Sequence, residues 1–399
     1  MKVCYDKKLF LNIFKGACTL IYLDNSATTK PYDEVIQSFT KVATTYYGNP
    51  SSLHQFGVQA ENLMTKSREQ VGQLLHVSPK EIIFTSGGTE GNNMAIKGVA
   101  MKYKNRGRHI ITTAIEHDSV HEPFKQLQEL GFDVTYLPVA RDGFVNPHDL
   151  KSAIRPETIL VSIMHVNNEI GTIQPIEEIG EILKEYPTVL YHVDHVQGIG
   201  KVPLSLRGAH IDLCTISGHK IHGLKGTGIL YISQGVELSP LISGGSQELQ
   251  KRSGTENVPG VVSFAKALRL TMEHASKNSN KMKKMQSELK AQLEKHERII
   301  MNTPVEGSAP HILNFTVKGI KGEVFVHALE EKGVFVSTTS ACSSKRQKPS
   351  KTLLGMGKSY EEADQSIRIS LSHVNDFNEI TPTVNAIFTV IEELKKVMG

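Results

Sequence analysis

Lys220 closes the polar cluster Ser217-Gly218-His219-Lys220, which follows the apolar run Ile211-Asp212-Leu213-Cys214-Thr215-Ile216. The run reads as a buried strand, and the glycine-rich stretch 221–228 after it is not a helix. A lysine held where a buried strand meets a loop is poorly solvated. A desolvated amine is a nucleophile that can form a Schiff base with an aldehyde. Ser217 and His219 are donor types that suit a phosphate. The cluster alone also describes a surface lysine in a turn, so the neighbouring loops decide its use.

Ser86-Gly87-Gly88-Thr89 opens a helix, where free amides, hydroxyls and the helix dipole favour an anion. A capped glycine turn would read the same way. Asp194 ends Tyr191-His192-Val193-Asp194, and a carboxylate there could keep a pyridine nitrogen protonated, making that ring an electron sink. A helix N-cap is its other use. Gln197 follows on the same loop. Glu116-His117 ends another strand, and His117 could stack on a ring or carry protons. His121 lies one helical turn later, but no third ligand accompanies the pair and no metal is expected. A phosphate loop, a pyridinium carboxylate and a Schiff-base lysine, in sheet order, describe a pyridoxal 5′-phosphate site.

The elements that must hold these loops alternate. Strands are expected at 82–85, 109–113, 134–137, 159–164, 189–194, 211–216 and 227–232, with helices between most of them. Such alternation implies an α/β fold with a mostly parallel sheet covered by helices, and ligands bind beyond the carboxyl ends of its strands. After Pro259 the texture changes: a long charged helix is expected over 261–296, then strands at 312–317, 334–337 and 367–371, and a closing helix over 377–397. The expected division is an N-terminal extension (1–21), a large domain (22–260) and a smaller α+β domain (261–399).

The chain of 399 residues is 39% hydrophobic and 22% charged, ordinary for a globular protein and long enough for two domains. A net charge of +4 on 45 basic and 41 acidic residues gives no case for a nucleic-acid partner. Cys4, Cys18, Cys214 and Cys342 show neither disulfide nor zinc spacing, which points to a reducing compartment. Apolar runs fall short of membrane-spanning length. Lys2, Lys7 and Lys8 before 9–14 loosely resemble a signal peptide, but Asn12 and Lys15 interrupt it, so a cytoplasmic protein is expected.

In order along the chain stand Tyr22-Leu23-Asp24-Asn25-Ser26-Ala27-Thr28-Thr29, Gly48-Asn49-Pro50-Ser51-Ser52, Phe84-Thr85-Ser86-Gly87-Gly88-Thr89-Glu90 and Asn167-Asn168-Glu169-Ile170-Gly171. Val193-Asp194 with Gln197, Ser217-Gly218-His219-Lys220, Arg252-Ser253-Gly254-Thr255 and Ser340-Ala341-Cys342 follow. This series closely resembles the cysteine desulfurases of the class-V aminotransferase group of pyridoxal-phosphate enzymes. The resemblance implies that Lys220 carries the cofactor, His117 stacks on its ring, Asp194 meets the pyridine nitrogen and Gln197 meets the ring hydroxyl. It further implies phosphate contacts from Gly88, Thr89, Ser217 and His219, joined by Thr255 of a second subunit in a homodimer. Asn168 and Arg368 would hold the substrate L-cysteine, Arg368 through its carboxylate.

Cys342 lies in a polar, small-residue stretch followed by Lys345, Arg346 and Lys348, which favour the reactive thiolate. Cys214, inside a strand, reads as core. The implied reaction converts L-cysteine to L-alanine and leaves the sulfur on Cys342 as a persulfide. An acceptor protein, an iron–sulfur scaffold or a tRNA-thiolating enzyme, then receives it. The competing readings are a selenocysteine lyase or an aminotransferase of the same fold, and a cofactor-binding scaffold impaired in turnover. Gly91, His195, Thr339 and Ser372 depart from the family pattern, which often has Ser, a small residue, Gly and Gly there. Thr339 would stiffen the base of the thiol loop.

Overall fold

The computed structural model describes residues 20–338 and 349–398. Cys342, its basic neighbours, Thr339 and the N-terminal extension therefore lie outside the described residues. The chain begins with β1 (Ile21–Tyr22), α1 (Asp33–Thr45), α2 (Gln55–Leu75), β2 (Ile82–Thr85) and α3 (Gly88–Tyr103). It continues through β3 (His109–Thr113), α4 (Asp118–Glu129), β4 (Asp133–Leu137), α5 (Pro147–Ala153), β5 (Thr158–Met164), α6 (Ile176–Leu183) and β6 (Leu190–Asp194). Then come β7 (Leu213–Ser217), a single 3-10 turn (Gly218–Lys220) and β8 (Gly228–Ile232).

Strands β2 to β8 form one seven-stranded sheet in the order β2-β8-β7-β6-β5-β3-β4. From β4 to β7 every neighbouring pair is parallel, while β8 runs antiparallel to both β7 and β2. The parallel strands β3, β5 and β7 are buried from end to end, and β6 from Tyr191 on, as strands covered on both faces must be. Their carboxyl ends put Glu116 and His117, Asp194, and Ser217 to Lys220 along one edge.

The remainder contains α7 (Val258–Glu273), α8 (Ala275–Leu293), β9 (Ile299–Met301), β10 (Ile312–Val317), α9 (Gly322–Glu331), β11 (Val334–Phe335) and β12 (Ser337–Thr338). It closes with α10 (Lys351–Gly355), α11 (Tyr360–Asp364), β13 (Ser366–Ser370) and α12 (Ile380–Met398). A four-stranded antiparallel sheet, β12-β13-β10-β9, carries this part, and β1 pairs in parallel with β11.

The single helix expected over 261–296 is two helices, broken at His274 (φ −125°). Val258, Val261, Phe264 and Leu268 of α7 pack into the core shared by α1, α2 and the large sheet. Met282, Met285 and Leu289 of α8 pack instead with Phe315, Ile367, Ile387 and, from the start of the chain, Ile21 and Leu23. Packing thus changes partner at the α7–α8 break. The N-terminal segment shares the second core through β1 and through the bond from Ser370 N–H to Leu23 O at 2.7 Å.

Candidate active site

A cavity of about 640 Å³ opens at the carboxyl edge of the large sheet, against the second sheet. Ten of the residues picked from sequence line it: Gly88, Thr89, His117, Asn168, Asp194, Gln197, Ser217, His219, Lys220 and Arg368. Thr255 lies apart, lining a smaller pocket of about 140 Å³ with Arg252 and Glu256.

Lys220 ends the 3-10 turn after β7, where the chain cannot continue as strand. Its Nζ donates to the carbonyl oxygens of Ser26 and, at 2.7 Å, of Ala27. The Lys220 carbonyl accepts from Lys201 Nζ at 3.1 Å. Lys201 is itself pushed down to about 7, by burial and then by the Lys220 charge.

One end of the cavity is built for an anion. Gly87 has φ +147°, a conformation that side-chain-bearing residues rarely adopt, and it swings the chain from β2 into α3. The first-turn amides of Gly88 and Thr89 have no intrahelical acceptors and face Ser217 and His219 across the gap. Burial, and next the Lys220 charge, bring His219 down to about 4. It is therefore a neutral imidazole near pH 7. Its Nδ1 lies 3.2 Å from Thr28 Oγ1.

The middle of the cavity holds Asp194, 6% exposed. Its Oδ1 accepts from the Val196 N–H at 3.0 Å and its Oδ2 from Asn92 Nδ2 at 2.8 Å. The first bond closes a turn and caps no helix, since β7 is the next described element; the second is made by a residue that motif reading missed. His117 begins α4 and its Nδ1 accepts from the Ser119 N–H at 3.1 Å. Gln197 Nε2 donates to Ser26 O at 3.0 Å. His121 stacks on Tyr136, ring centroids 5.3 Å apart.

The far end is cationic. Arg368, on β13 and 3% exposed, donates from Nη1 to Asn168 O and from Nη2 to Asp24 Oδ1, both at 2.9 Å. Asp24 is raised by burial against the opposing pull of Arg368. Glu116 is fully enclosed; Thr113 Oγ1 and Met164 N–H donate to its Oε1, both at 2.9 Å. Burial, aided by the Asp194 charge, pushes Glu116 up to about 8. Glu169, also raised by burial, accepts from Ser350 Oγ, and Lys351 Nζ meets Asp118 Oδ1 at 3.0 Å. These two contacts fix the start of α10, just beyond the stretch that contains Cys342, onto the large sheet's edge.

The class-V aminotransferase family model matches residues 21–382. A NifS/IcsS protein homolog of Lactobacillus delbrueckii subsp. bulgaricus is 44% identical over 380 residues, 95% of this chain and 99% of that protein. The cysteine desulfurase IscS of Dictyoglomus turgidum is 42% identical over 378 residues, 94% of this chain and 96% of its own. A solved NifS-like protein superposes with TM-score 0.89 at 40% identity, covering 94% of this chain and all of that one (100%). The chain belongs to the class-V aminotransferase family, among its cysteine desulfurases. Its sheet order and flanking helices are those of the pyridoxal-phosphate fold seen in these neighbours.

Enzymes of this family use pyridoxal 5′-phosphate, and the residues present fit it. Buried polar atoms left without a partner cluster around the cavity: Ser217 Oγ at the anion end, Gln197 Oε1 and Ser26 Oγ in the middle, and Arg368 Nε at the cationic end. Buried polar groups are nearly always satisfied, so several orphans around one cavity mark groups reserved for a ligand. Sequence reading missed Asn92, Ser119, Ser26, Ala27 and Asp24 as contributors. Ser26, Ala27 and Asp24 stood in a quoted motif without a role, and Asn92 sits inside a helix whose first turn drew all the attention.

Proposed function

We infer that this chain is a pyridoxal 5′-phosphate-dependent cysteine desulfurase that takes the sulfur of L-cysteine onto Cys342 and releases L-alanine. The observation that carries this reading is a single cavity whose walls hold a lysine, a neutral phosphate cradle, a ring-side carboxylate and a buried arginine in line. The kinship supports it, and one solved relative, SspA in complex with cysteine, has TM-score 0.78 at 34% identity over 90% of this chain and 100% of its own.

Lys220 would bond the cofactor. Gly88, Thr89, Ser217 and His219 would hold its phosphate through neutral donors and a helix N-terminus. Asp194 and Gln197 would meet the ring edge, and His117 its face. Bound there, the cofactor supplies an electron sink for negative charge left at the substrate Cα.

Arg368 and Asn168 orient the substrate, with Arg368 placing the carboxylate at the end of the cavity remote from the phosphate. The Lys220 amine, once free, takes the Cα proton. Cys342 thiolate then attacks the substrate sulfur, so that the Cβ–S bond breaks, an S–S bond forms on Cys342 and the remaining carbon skeleton leaves as alanine after protonation. His117, over the ring, is placed to carry protons in these steps.

The persulfide sulfur passes to an acceptor protein serving iron–sulfur assembly or tRNA thiolation. The chain works as a homodimer in the cytoplasm. Thr255 supports the dimer, because it lies outside the cavity of its own chain and would reach the phosphate end of a partner's. The sparse, unpaired cysteines support a reducing compartment.

The test is purified protein with L-cysteine and a reductant, assayed for sulfide and alanine beside Cys342→Ala. Equal amounts of both products, lost in the variant while the cofactor absorbance persists, are expected. Undiminished sulfide from the variant would remove Cys342 from the mechanism.

A further inference from the structure

Asn92 and Ser119 link the two side chains that flank the ring position. Asn92, on α3 with its side chain fully buried, donates from Nδ2 to Asp194 Oδ2 and to Ser119 Oγ, each at 2.8 Å. Ser119 Oγ lies 2.8 Å from His117 Nδ1, and the Ser119 main-chain N–H donates to that same nitrogen at 3.1 Å. The donor roles are forced by valence. The Asn92 amino group can only donate, so Ser119 Oγ accepts from it and keeps its own hydrogen for His117. A main-chain N–H also can only donate, so Nδ1 of His117 must offer a lone pair. The neutral ring then carries its proton on Nε2. Aiming both Asn92 hydrogens this way leaves Asn92 Oδ1 buried without a partner.

We propose that Asn92 and Ser119 are positioning residues that hold His117 as its Nε2–H tautomer and tether it to the carboxylate of Asp194, so that any proton His117 exchanges with a bound molecule passes through Nε2. The tautomer assignment stands on these four bonds alone; the use of the proton rests on the desulfurase reading. When Nδ1 does gain a proton, it faces the Ser119 N–H, and relief comes only if the Ser119 hydroxyl turns to accept it. Ser119 therefore sets how readily His117 charges. Titratable groups that face it include Asp118 on its own turn, Glu169 from the 167–171 turn and the neutral His219 from the 3-10 turn, with Asp194 acting through Asn92.

The experiment is imidazole-nitrogen NMR of the histidine-labelled holoenzyme, with His117→Gln used to identify the signal. A lone-pair Nδ1 and a protonated Nε2 at neutral pH are expected. An Nδ1–H signal for wild-type His117 would overturn the proposal without any variant having to fold. Ser119→Ala removes both the hydroxyl that donates to the neutral ring and the acceptor that a protonated Nδ1 would use. The charged ring loses the stronger bond, so the His117 titration, and the acidic limb of kcat with it, should move to lower pH, with a rise in kcat on the order of tenfold on that limb. Cofactor absorbance should be retained, and Ser119→Thr should restore the profile. A Ser119→Ala enzyme slowed equally at every pH, with its tautomer and titration unchanged, would also overturn it. Wild-type protein that holds cofactor but makes neither sulfide nor alanine would instead sink the desulfurase reading and leave the tautomer result to be judged by itself.

Discussion

Arg368→Met separates substrate recognition from everything else the cavity does. A guanidinium has five N–H donors; two serve Asn168 O and Asp24 Oδ1, and Nε has no partner. The remaining hydrogens suffice for a two-point grip on a carboxylate from a side chain only 3% exposed. Each charge-assisted bond contributes about 1.5–3 kcal/mol, partly offset by desolvating the carboxylate, so losing the grip should cost roughly 2–4 kcal/mol. That is about 30- to 900-fold in kcat/KM. A carboxylate is held equally before and during reaction, so most of the loss should appear as a raised KM for L-cysteine with kcat largely kept.

The same substitution strips Asp24 of its partner, and removing one member of a buried pair is destabilising by about 3–5 kcal/mol when the other stays charged. Burial already raises Asp24, so it can take up a proton and blunt that cost. The pairing of Arg368→Met with Asp24→Asn separates the two effects, since the second change removes the stranded charge without rebuilding the grip. Alanine formation measured against L-cysteine concentration is the assay, with denaturant melts alongside. Recovery of melting with KM still high is the expected result. A KM within threefold of wild type in cofactor-loaded Arg368→Met, or a KM restored by Asp24→Asn, would refute the reasoning.

Gly91→Ala should destabilise the fold by about 1–3 kcal/mol, because an added Cβ would stand 2.7 Å from Thr215 Cγ2; Thr215→Ser, which deletes that methyl, should recover part of this in a denaturant cycle. Glu116 is raised to about 8 from 4.5. Between those values the unfolded chain sheds a proton that the folded chain keeps, so its burial costs stability increasingly as pH rises through that window and not below it. Glu116→Gln should therefore gain stability over wild type from near nothing at the acidic end to at most a few kcal/mol near pH 8, and melts giving a pH-independent difference would count against this. Ser372→Gly should cost about 1 kcal/mol by stranding His222 Nε2, which lies 2.8 Å from Ser372 Oγ while Nδ1 donates to Lys30 O, with cofactor binding unchanged by absorbance.

The large sheet was legible because each strand announces itself twice, by an unbroken apolar run and by the polar cluster that follows it. The carboxyl-edge location of His117, Asp194 and Lys220 follows from that pattern alone. Strand order did not: that β8 lies between β2 and β7, antiparallel to both, depends on pairings that local periodicity does not encode. The α7–α8 break was hidden because Met272-Glu273-His274-Ala275 contains neither glycine nor proline, and only a change of packing partner bends the chain there. The departures at Gly91 and Ser372 also became intelligible only in three dimensions, through the Thr215 methyl and the His222 ring. His195, the third, forms a buried pair with His165, their Nδ1 atoms 2.8 Å apart, so the larger side chain fills a place where it has a partner.

The cavity's charges explain why its assembly needs the whole chain. Lys220 is met by carbonyls of Ser26 and Ala27, and Arg368 by the carboxylate of Asp24. Residues 24–27 belong to the segment that β1 stitches to β11, so both cationic groups are balanced by a strand-and-turn that packs with the second core. The anion end depends on neutral donors and a helix terminus instead, drawn from the large sheet's edge, with His219 also held by Thr28 and Thr29 just past residues 24–27. Binding of phosphate alone should thus tolerate a loosened N-terminal segment, whereas the amine would lose the carbonyls of Ser26 and Ala27, and the guanidinium the Asp24 carboxylate but not its bond to Asn168 O, if residues 21–27 came away. The segment acts as the counter-charge that lets an amine and a guanidinium share one enclosed space. Loosening β1 should on this argument damage lysine reactivity and substrate affinity together while sparing the phosphate cradle, a pattern that a simple loss of folding would not produce.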